Sequence, residues 1–245
     1  MKIKINIISF LLFITIGQIT YGQKTFSYQE DFKKVLAQTK DPKNKLSYPK
    51  LLNRFKVNDT TLTDFEVLAL LIGFTDKPDY KPYDDLKIER EIYELNEEKK
   101  YQEGLNKANI FLKTHPVSVK TLFEKSYSFY KLGQKDSAQF YAYQGQRIFS
   151  AMYFSGNGKT KETPTFSLGP ADGQDYIRKF VGAKIGKMGS GSDKNGNFLD
   201  ILEAKFEDGE TLILYFIIQH ATDKLFIKKI IEEELNKPKE KKKDR

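Results

Sequence analysis

Residues 101–142 read YQEGLNKANIFLKTHPVSVKTLFEKSYSFYKLGQKDSAQFYA, and this stretch decides the fold of the front half of the chain. Small residues recur in it at an interval of 34 positions: Ala138 follows Gly104, and Ala142 follows Ala108. A small side chain is needed wherever two helices approach closely, so a fixed interval between such residues indicates a repeated pair of packed helices.

The interval of 34 residues is also the period of the tetratricopeptide unit, a helix-turn-helix repeat. Pro116 follows the first predicted helix of the stretch, and Gly133 follows the next, where such a unit turns. The alternative is a helical bundle in which the spacing arises by chance. Both interpretations predict packed antiparallel helices that continue to about Met152.

Apolar residues at helical spacing also precede this stretch. They predict helices over residues 28–39, 48–55, 63–74 and 86–98. Thr63 and Glu66 stand in the capping-box positions of the third of these helices. Pro78 and Pro82 predict a loop between the third helix and the fourth.

The sequence changes character at Ser155, where a Gly- and Lys-rich segment begins. Short apolar runs after it predict strands at residues 164–168, 183–188, 198–206 and 211–219, followed by a helix over 222–235. Glu207, Asp208 and Gly209 predict a hairpin turn between the last two strands, because glycine adopts positive φ without strain. The predicted fold class is therefore α+β, a tetratricopeptide-like helical half followed by a small antiparallel sheet and a closing helix.

The N-terminus has the pattern of a cleavable signal peptide over residues 1–22. Lys2 and Lys4 precede an apolar run that is shorter than the roughly 20 residues of a membrane span, and Thr20 and Gly22 fit a small-residue cleavage site. We expect an exported protein, periplasmic or extracellular, with no stable membrane span after cleavage. The predicted organisation is then a helical region over 23–154, a sheet region with its helix over 155–236, and a disordered basic tail over 237–245.

The net charge of +8 is concentrated at the two ends of the chain. Removing the two signal-peptide lysines and the tail, whose net charge is +4, leaves only +2 for the body. A body so close to neutral predicts no nucleic-acid partner. The composition of the tail is typical of a solvated, disordered segment. The alternative interpretation is a weak contact with an anionic membrane surface.

The chain contains no cysteine and two histidines. We therefore expect no disulfide, no cofactor and no zinc or iron metal site. His220 follows the strongest predicted strand, near Asp223, and such a pair could poise a general base. A strand-end histidine is more often structural or solvated.

Two groups of residues, together with His220, are candidate binding residues. Tyr101, Tyr127 and Tyr130 belong to a set of aromatic side chains larger than a helical core requires. Asp193, Asn195 and Asn197 lie in a glycine-rich segment, where the spacing fails the EF-hand pattern but leaves a looser calcium site open. A glycine-rich hairpin is the simpler interpretation of that segment.

The segments 48–63 (YPKLLNRFKVNDTTLT), 99–133 and 153–158 (YFSGNG) resemble the domain-of-unknown-function 4919 family of exported proteins from Gram-negative bacteria. The resemblance implies a signal peptide, a repeat-like helical front half and a mixed rear half. It implies no activity and supplies no catalytic residue.

These observations favour a non-catalytic module of the cell envelope that binds a protein or peptide, since helical repeats present concave surfaces to extended partners. One alternative is an exported enzyme with a site in the C-terminal half, built from Asp200, Glu203 or His220. The other is a structural subunit of an envelope assembly.

Overall fold

A computed structural model describes residues 26–235 of the chain. The predicted signal peptide and the basic tail lie outside this range. The helices are α1 Tyr28–Lys40, α2 Tyr48–Lys56, α3 Asp64–Phe74, α4 Asp85–Glu97, α5 Tyr101–Thr114, α6 Val119–Lys131, α7 Lys135–Ser155, α8 Asp172–Tyr176 and α9 Gln219–Leu235. The strands are β1 Thr165–Phe166, β2 Lys184–Ser192, β3 Phe198–Lys205 and β4 Thr211–Ile217. The α+β class predicted from the sequence is confirmed.

Helix α3 is the centre of the helical half. Its residues from Val67 to Phe74 are all buried, and α1, α2 and α7 pack around it. A helix that is apolar on every side has to be enclosed in this way. The predicted capping box is present at its start, where Thr63 Oγ1 accepts from the Glu66 amide and the Glu66 carboxylate accepts from the Thr63 amide.

Helices α4 to α7 form two consecutive antiparallel pairs. Contacts join α4 to α5, α5 to α6 and α6 to α7, and α4 also touches α6. Gly104 lies against Asn96 and Ser128, where an added Cβ would come within 2.9 Å of the Asn96 Oδ1 atom. Ala138 is buried and its carbonyl accepts a hydrogen bond from Ser126. Gly104 and Ala138, which are 34 positions apart, therefore both lie at contacts between helices.

Within the described residues the sheet has four strands in the order β1-β4-β3-β2. The strand pairs β2–β3 and β3–β4 are antiparallel, as predicted, but β1 runs parallel to β4. The prediction of a purely antiparallel sheet was therefore wrong, and the sheet is mixed. A hairpin forces its two strands to be antiparallel, whereas β1 reaches the sheet from α7 and continues into a helix, so no hairpin fixes its direction.

The connection between β1 and β2 contains a helical segment that the sequence did not predict. Helix α8 is followed directly by a π-helical turn, Ile177–Val181, which ends at Gly182. Gly173 of α8 lies against Phe216 and Leu202, so this short segment covers one face of the sheet. Five residues of α-helix are too few to give a periodic pattern.

Both predicted turns of the sheet are present. Gly209 has φ +91° and its amide donates to the Phe206 carbonyl, which closes the turn between β3 and β4. Asp193 and Gly196 close the hairpin between β2 and β3. Helix α9 begins three residues earlier than predicted, at Gln219.

The larger hydrophobic cluster continues from the helical half into the sheet. Phe149 of α7 contacts Tyr176 edge to face, and Tyr176 contacts Phe216 of β4 in the same manner. At the end of α7 the Ser155 hydroxyl accepts from the Phe166 amide of β1. The two halves therefore share one core. Within residues 26–235 no helix is both long enough and apolar enough to cross a membrane.

Candidate binding site

An open groove of about 770 Å³ lies between α4, α6 and the start of α7. Three tyrosines line it and expose much of their surface: Tyr93 is 42% exposed, Tyr127 38% and Tyr130 60%. Aromatic rings normally contribute large buried areas to a core or an interface. Three exposed aromatic rings on one surface therefore indicate a binding surface.

Lysines hold two of these rings in place. The Lys120 ammonium lies 5.7 Å from the Tyr93 ring centroid, and the Lys131 ammonium lies 5.2 Å from that of Tyr127. Such cation–π contacts are worth about 0.5–1 kcal/mol at an exposed site. Desolvation and the charge of Glu97 raise the pKa of Tyr93, so its hydroxyl stays protonated.

A buried polar network joins α4 to α6 beside the groove, and one of its members, Glu124, lines the groove. Asn96 of α4 donates from Nδ2 to Glu124 Oε2 over 2.9 Å and to the Glu124 carbonyl, while Ser128 donates to Asn96 Oδ1 over 2.7 Å. All three side chains are buried, so these bonds are shielded from water and fix α4 against α6. This pairing fixes α4, which carries Tyr93, relative to α6, which carries Tyr127 and Tyr130.

Lys179 of the π-helical turn Ile177–Val181 adds a charged side chain to the lining of the groove. The sequence did not predict this turn. Lys179 lies 3.6 Å from Glu124 Oε1 and 3.5 Å from Asp175 Oδ1. Its ammonium also lies 5.1 Å from the Phe123 ring centroid. Glu124 and Lys179 escaped the sequence analysis because neither belongs to a motif, and 55 positions separate them along the chain.

The structure brings only part of the predicted tyrosine set into the groove. Tyr127 and Tyr130 line it, whereas Tyr101 does not. The Tyr101 ring instead meets that of Tyr127 edge to face, with the centroids 6.1 Å apart. Tyr101 therefore supports the position of Tyr127 from outside the groove.

Asp193, Asn195 and Asn197 stand in the β2–β3 hairpin, outside the groove. Asp193 Oδ1 accepts from the amides of Asn195 and Asn197, and Asp193 Oδ2 accepts from Asn197 Nδ2 over 2.7 Å. Both carboxylate oxygens of Asp193 thus close the hairpin. Among the residues that the structure describes, no three His, Cys, Asp or Glu side chains are grouped to hold a metal ion.

His220 is buried in an aromatic cluster at the start of α9. Its ring stacks on Phe166 with the centroids 4.6 Å apart, and Tyr28 Oη lies 3.4 Å from its Nδ1 atom. Burial lowers the pKa of His220 to about 3, so the ring is neutral. The Asp223 carboxylate accepts from Gln219 rather than from His220. The structure thus does not bring His220 and Asp223 together as a hydrogen-bonded pair.

The two strand carboxylates also lie apart. Asp200 and Glu203 are three residues apart on β3, which places their side chains on opposite faces of the sheet. Burial raises the pKa of Asp200 to about 6. Glu203 accepts from the Lys187 amide at the bulge of β2. No common cleft joins these two groups.

The sequence analysis missed a cluster of buried acids between the helices and the loop before α8. Glu89 and Asp172 line a cavity of about 30 Å³, together with Ser118. Burial raises the pKa of Glu89 to about 7 and raises that of Asp172 well above its usual range, and the charge of Glu89 raises the pKa of Asp172 further. A cavity of this size holds a water molecule and has no room for an organic substrate.

An ion pair lies at the edge of the same cavity. His115 Nε2 is 3.2 Å from Asp85 Oδ1, and its ring stacks on Phe111 at 4.0 Å. Burial lowers the pKa of His115, but the hydrogen bond and charge of Asp85 outweigh that effect and raise it overall. His115 is thus a partly buried helix-end residue that binds its neighbours.

The fold and the groove together define an α+β protein with a scaffold of antiparallel helix pairs and an aromatic-lined open surface. The model of the family described as "Domain of unknown function (DUF4919)" matches residues 33–225, which is most of the chain. The protein therefore belongs to the DUF4919 family, as the sequence resemblance indicated. No curated protein and no solved structure matches the chain.

Proposed function

We propose that the protein is an exported, non-catalytic module of the cell envelope that binds a protein or peptide segment in the α4–α6–α7 groove. The observation that carries the proposal is the grouping of three exposed tyrosines, Tyr93, Tyr127 and Tyr130, on one concave surface. Tyrosine is enriched in protein interfaces because its ring buries a large area while its hydroxyl keeps a polar contact.

The groove supports this use because it is held in shape without a partner. The bonds between Asn96, Glu124 and Ser128 fix the helices, and the lysine contacts orient the rings. A surface ordered in advance loses less conformational entropy when it binds. An extended segment fits such a groove better than a folded domain does, since the tyrosines lie within a depression.

The catalytic alternative lacks a matching site. His220 is buried and neutral, and Asp200 and Glu203 lie on opposite faces of β3. The buried acids Glu89 and Asp172 enclose room for water only. We therefore prefer the binding function to an enzyme.

Export belongs to the proposal and rests on the pattern of residues 1–22. The test is the mass of the protein recovered from cells that express the complete sequence. A mature chain that begins at Gln23 and is found outside the cytosol supports export. A full-length chain retained in the cytosol contradicts it.

The binding function is tested by crosslinking the tagged protein in cells and identifying its partners by mass spectrometry. Tyr127→Ala combined with Tyr130→Ala should lower the yield of a specific partner at least about tenfold, since aromatic anchors each contribute about 1–2 kcal/mol or more. Tyr153→Ala is the matched control, because Tyr153 is 57% exposed and does not line the groove. Equal recovery with all three proteins would refute the role of the groove.

A further inference from the structure

Two Asn-Gly dipeptides in the chain have very different surroundings. One is Asn157–Gly158, in the loop that follows α7, and the other is Asn195–Gly196, at the tip of the β2–β3 hairpin. Asparagine that precedes glycine is chemically labile, because glycine has no Cβ to shield its amide nitrogen from the neighbouring side chain. The two sites therefore separate the effect of the fold from that of the dipeptide.

The chemistry is deamidation, a covalent change that needs only water. The glycine amide nitrogen, its proton lost to solvent base, attacks the carbonyl carbon of the asparagine side chain, and a C–N bond forms. The bond from that carbon to the side-chain nitrogen breaks, the nitrogen takes up protons and leaves as ammonia, and a succinimide ring remains. One water molecule then opens the ring at either carbonyl, giving aspartate or isoaspartate. Both reacting groups must first leave the hydrogen bonds that hold them, so local opening of the fold controls the rate.

Hydrogen bonds on every side hold Asn157–Gly158 in place. Asn157 Oδ1 accepts from the Lys159 amide and from the Thr163 hydroxyl, each over 3.0 Å. The Gly158 amide donates to the Thr163 carbonyl over 2.8 Å, and the Gly158 carbonyl accepts from the Tyr215 amide of β4 over 2.8 Å. Gly158 is also buried. Deamidation here has to break several bonds, one of them to a central strand of the sheet.

Asn195–Gly196 is held by contacts within the hairpin alone. Both residues are exposed, and an added Cβ at Gly196 would meet nothing within 4 Å. The Gly196 amide donates to the Asp193 carbonyl over 3.1 Å, and the Asn195 amide donates to Asp193 Oδ1. Within the described part of the chain the Asn195 side chain makes no hydrogen bond. A hairpin tip with so few tertiary contacts opens locally at a low cost in free energy.

We propose that Asn195 is a site of spontaneous deamidation in the folded protein, and that the fold protects Asn157 from the same reaction. The product carries a new negative charge beside Asp193, whose carboxylate closes the hairpin. Isoaspartate also lengthens the backbone at the tip, which moves the Asn197 amide away from its Asp193 acceptor. The change is irreversible, so the altered hairpin accumulates with the age of the molecule. This inference is independent of the tyrosine groove.

The test follows the folded chain from Gln23 to Arg245, which retains every described residue, during incubation at mildly alkaline pH. Peptide mapping by mass spectrometry detects the small mass gain when the side-chain amide becomes an acid. Asn195 should convert at least about tenfold faster than Asn157, because each additional hydrogen bond that must break slows the reaction by roughly two- to tenfold. Equal rates at the two sites, faster conversion of Asn157, or an unchanged Asn195 overturns the proposal.

Two comparisons assign the difference to the fold. In concentrated guanidinium chloride the tertiary contacts are lost, so the two sites should react at similar rates, and a difference as large as in the folded protein would assign it to the flanking sequence instead. Thr163→Ala removes the hydroxyl that holds Asn157 at an exposed position and should raise the rate at Asn157 by roughly two- to tenfold, with Asn195 unchanged. No rise at Asn157 in this variant, shown by circular dichroism to be folded, would overturn the assignment of its protection to these bonds.

Discussion

The Ser118 hydroxyl donates a 2.7 Å hydrogen bond to Oε1 of Glu89, and this bond joins the start of α6 to the middle of α4 in the buried interior. Ser118 also caps α6 by accepting from the Thr121 amide. The carboxyl group of Glu89 is nevertheless so deeply buried that its pKa rises to about 7. Burial here outweighs the hydrogen bond that favours the charged form.

The stability of the protein should therefore depend on pH through Glu89. Its pKa is raised in the folded state, so the folded protein binds more protons than the unfolded one between pH 4.5 and about 7. Stability contributed by this group is lost as the pH rises through that window. Glu89→Gln should remove this loss, so the stability of the variant relative to the wild type should rise from below pH 4.5 to pH 8 by an amount on the order of 3 kcal/mol. Urea denaturation at several pH values measures it, and an unchanged pH profile would contradict it.

His220 should act in the opposite direction. Its pKa is lowered to about 3, so the unfolded chain binds the additional proton between pH 6.5 and 3. Stability from this group is present above pH 6.5 and is lost as the pH falls, by about 2 kcal/mol at pH 5. His220→Phe keeps the stack on Phe166 and cannot be protonated. We expect the stability advantage of the variant over the wild type to grow as the pH falls from 7 to 4.5, and a constant difference would refute the assignment.

The capping box of α3 gives a prediction at the surface. Thr63→Ala removes the acceptor for the Glu66 amide and should lower the free energy of unfolding by about 1 kcal/mol. Thr60→Ala is the control, because Thr60 is an exposed turn residue outside the helix. Thermal unfolding measures the loss of stability in both variants. Equal losses would show that the cap contributes nothing measurable.

Two glycines of the sheet region isolate the effect of backbone strain, because neither site is crowded. An added Cβ would meet nothing within 4 Å at either Gly209 or Gly189, but only Gly209 has a positive φ, at +91°. Gly209→Ala should therefore destabilise the protein by about 1–2 kcal/mol, whereas Gly189→Ala should be neutral or slightly stabilising. Chemical denaturation checks both. Similar effects at the two positions would contradict the assignment of strain to the β3–β4 turn.

Much of the fold was readable from local patterns. The apolar run that follows the Thr63 cap predicted helix α3, and Asp208 with Gly209 predicted the β3–β4 turn. Helix α8 gave no such signal because it is too short for a period, and the direction of β1 depends on a partner strand about 50 positions later. A pattern in neighbouring residues carries no information about pairing between strands that are so far apart in the chain.

The candidate site divides in the same manner. Tyr127 and Tyr130 were visible as surplus aromatic residues, whereas Glu124 and Lys179 meet only because the π-helical turn packs beside α6. Glu89 and Asp172 are 83 positions apart, and each looks like an ordinary surface acid until folding buries both around one cavity. Their altered pKa values arise from desolvation, which the sequence does not encode locally.

The sequence by itself determined the helical half with its 34-residue spacing, the strands and turns of the sheet half, and the family of the protein. The tertiary structure alone decided which tyrosines share a groove and which acids are buried away from water. The physical reason is one of range: periodicity, caps and turns act over a few residues, whereas burial and charge pairing depend on distant segments that meet only when the core forms.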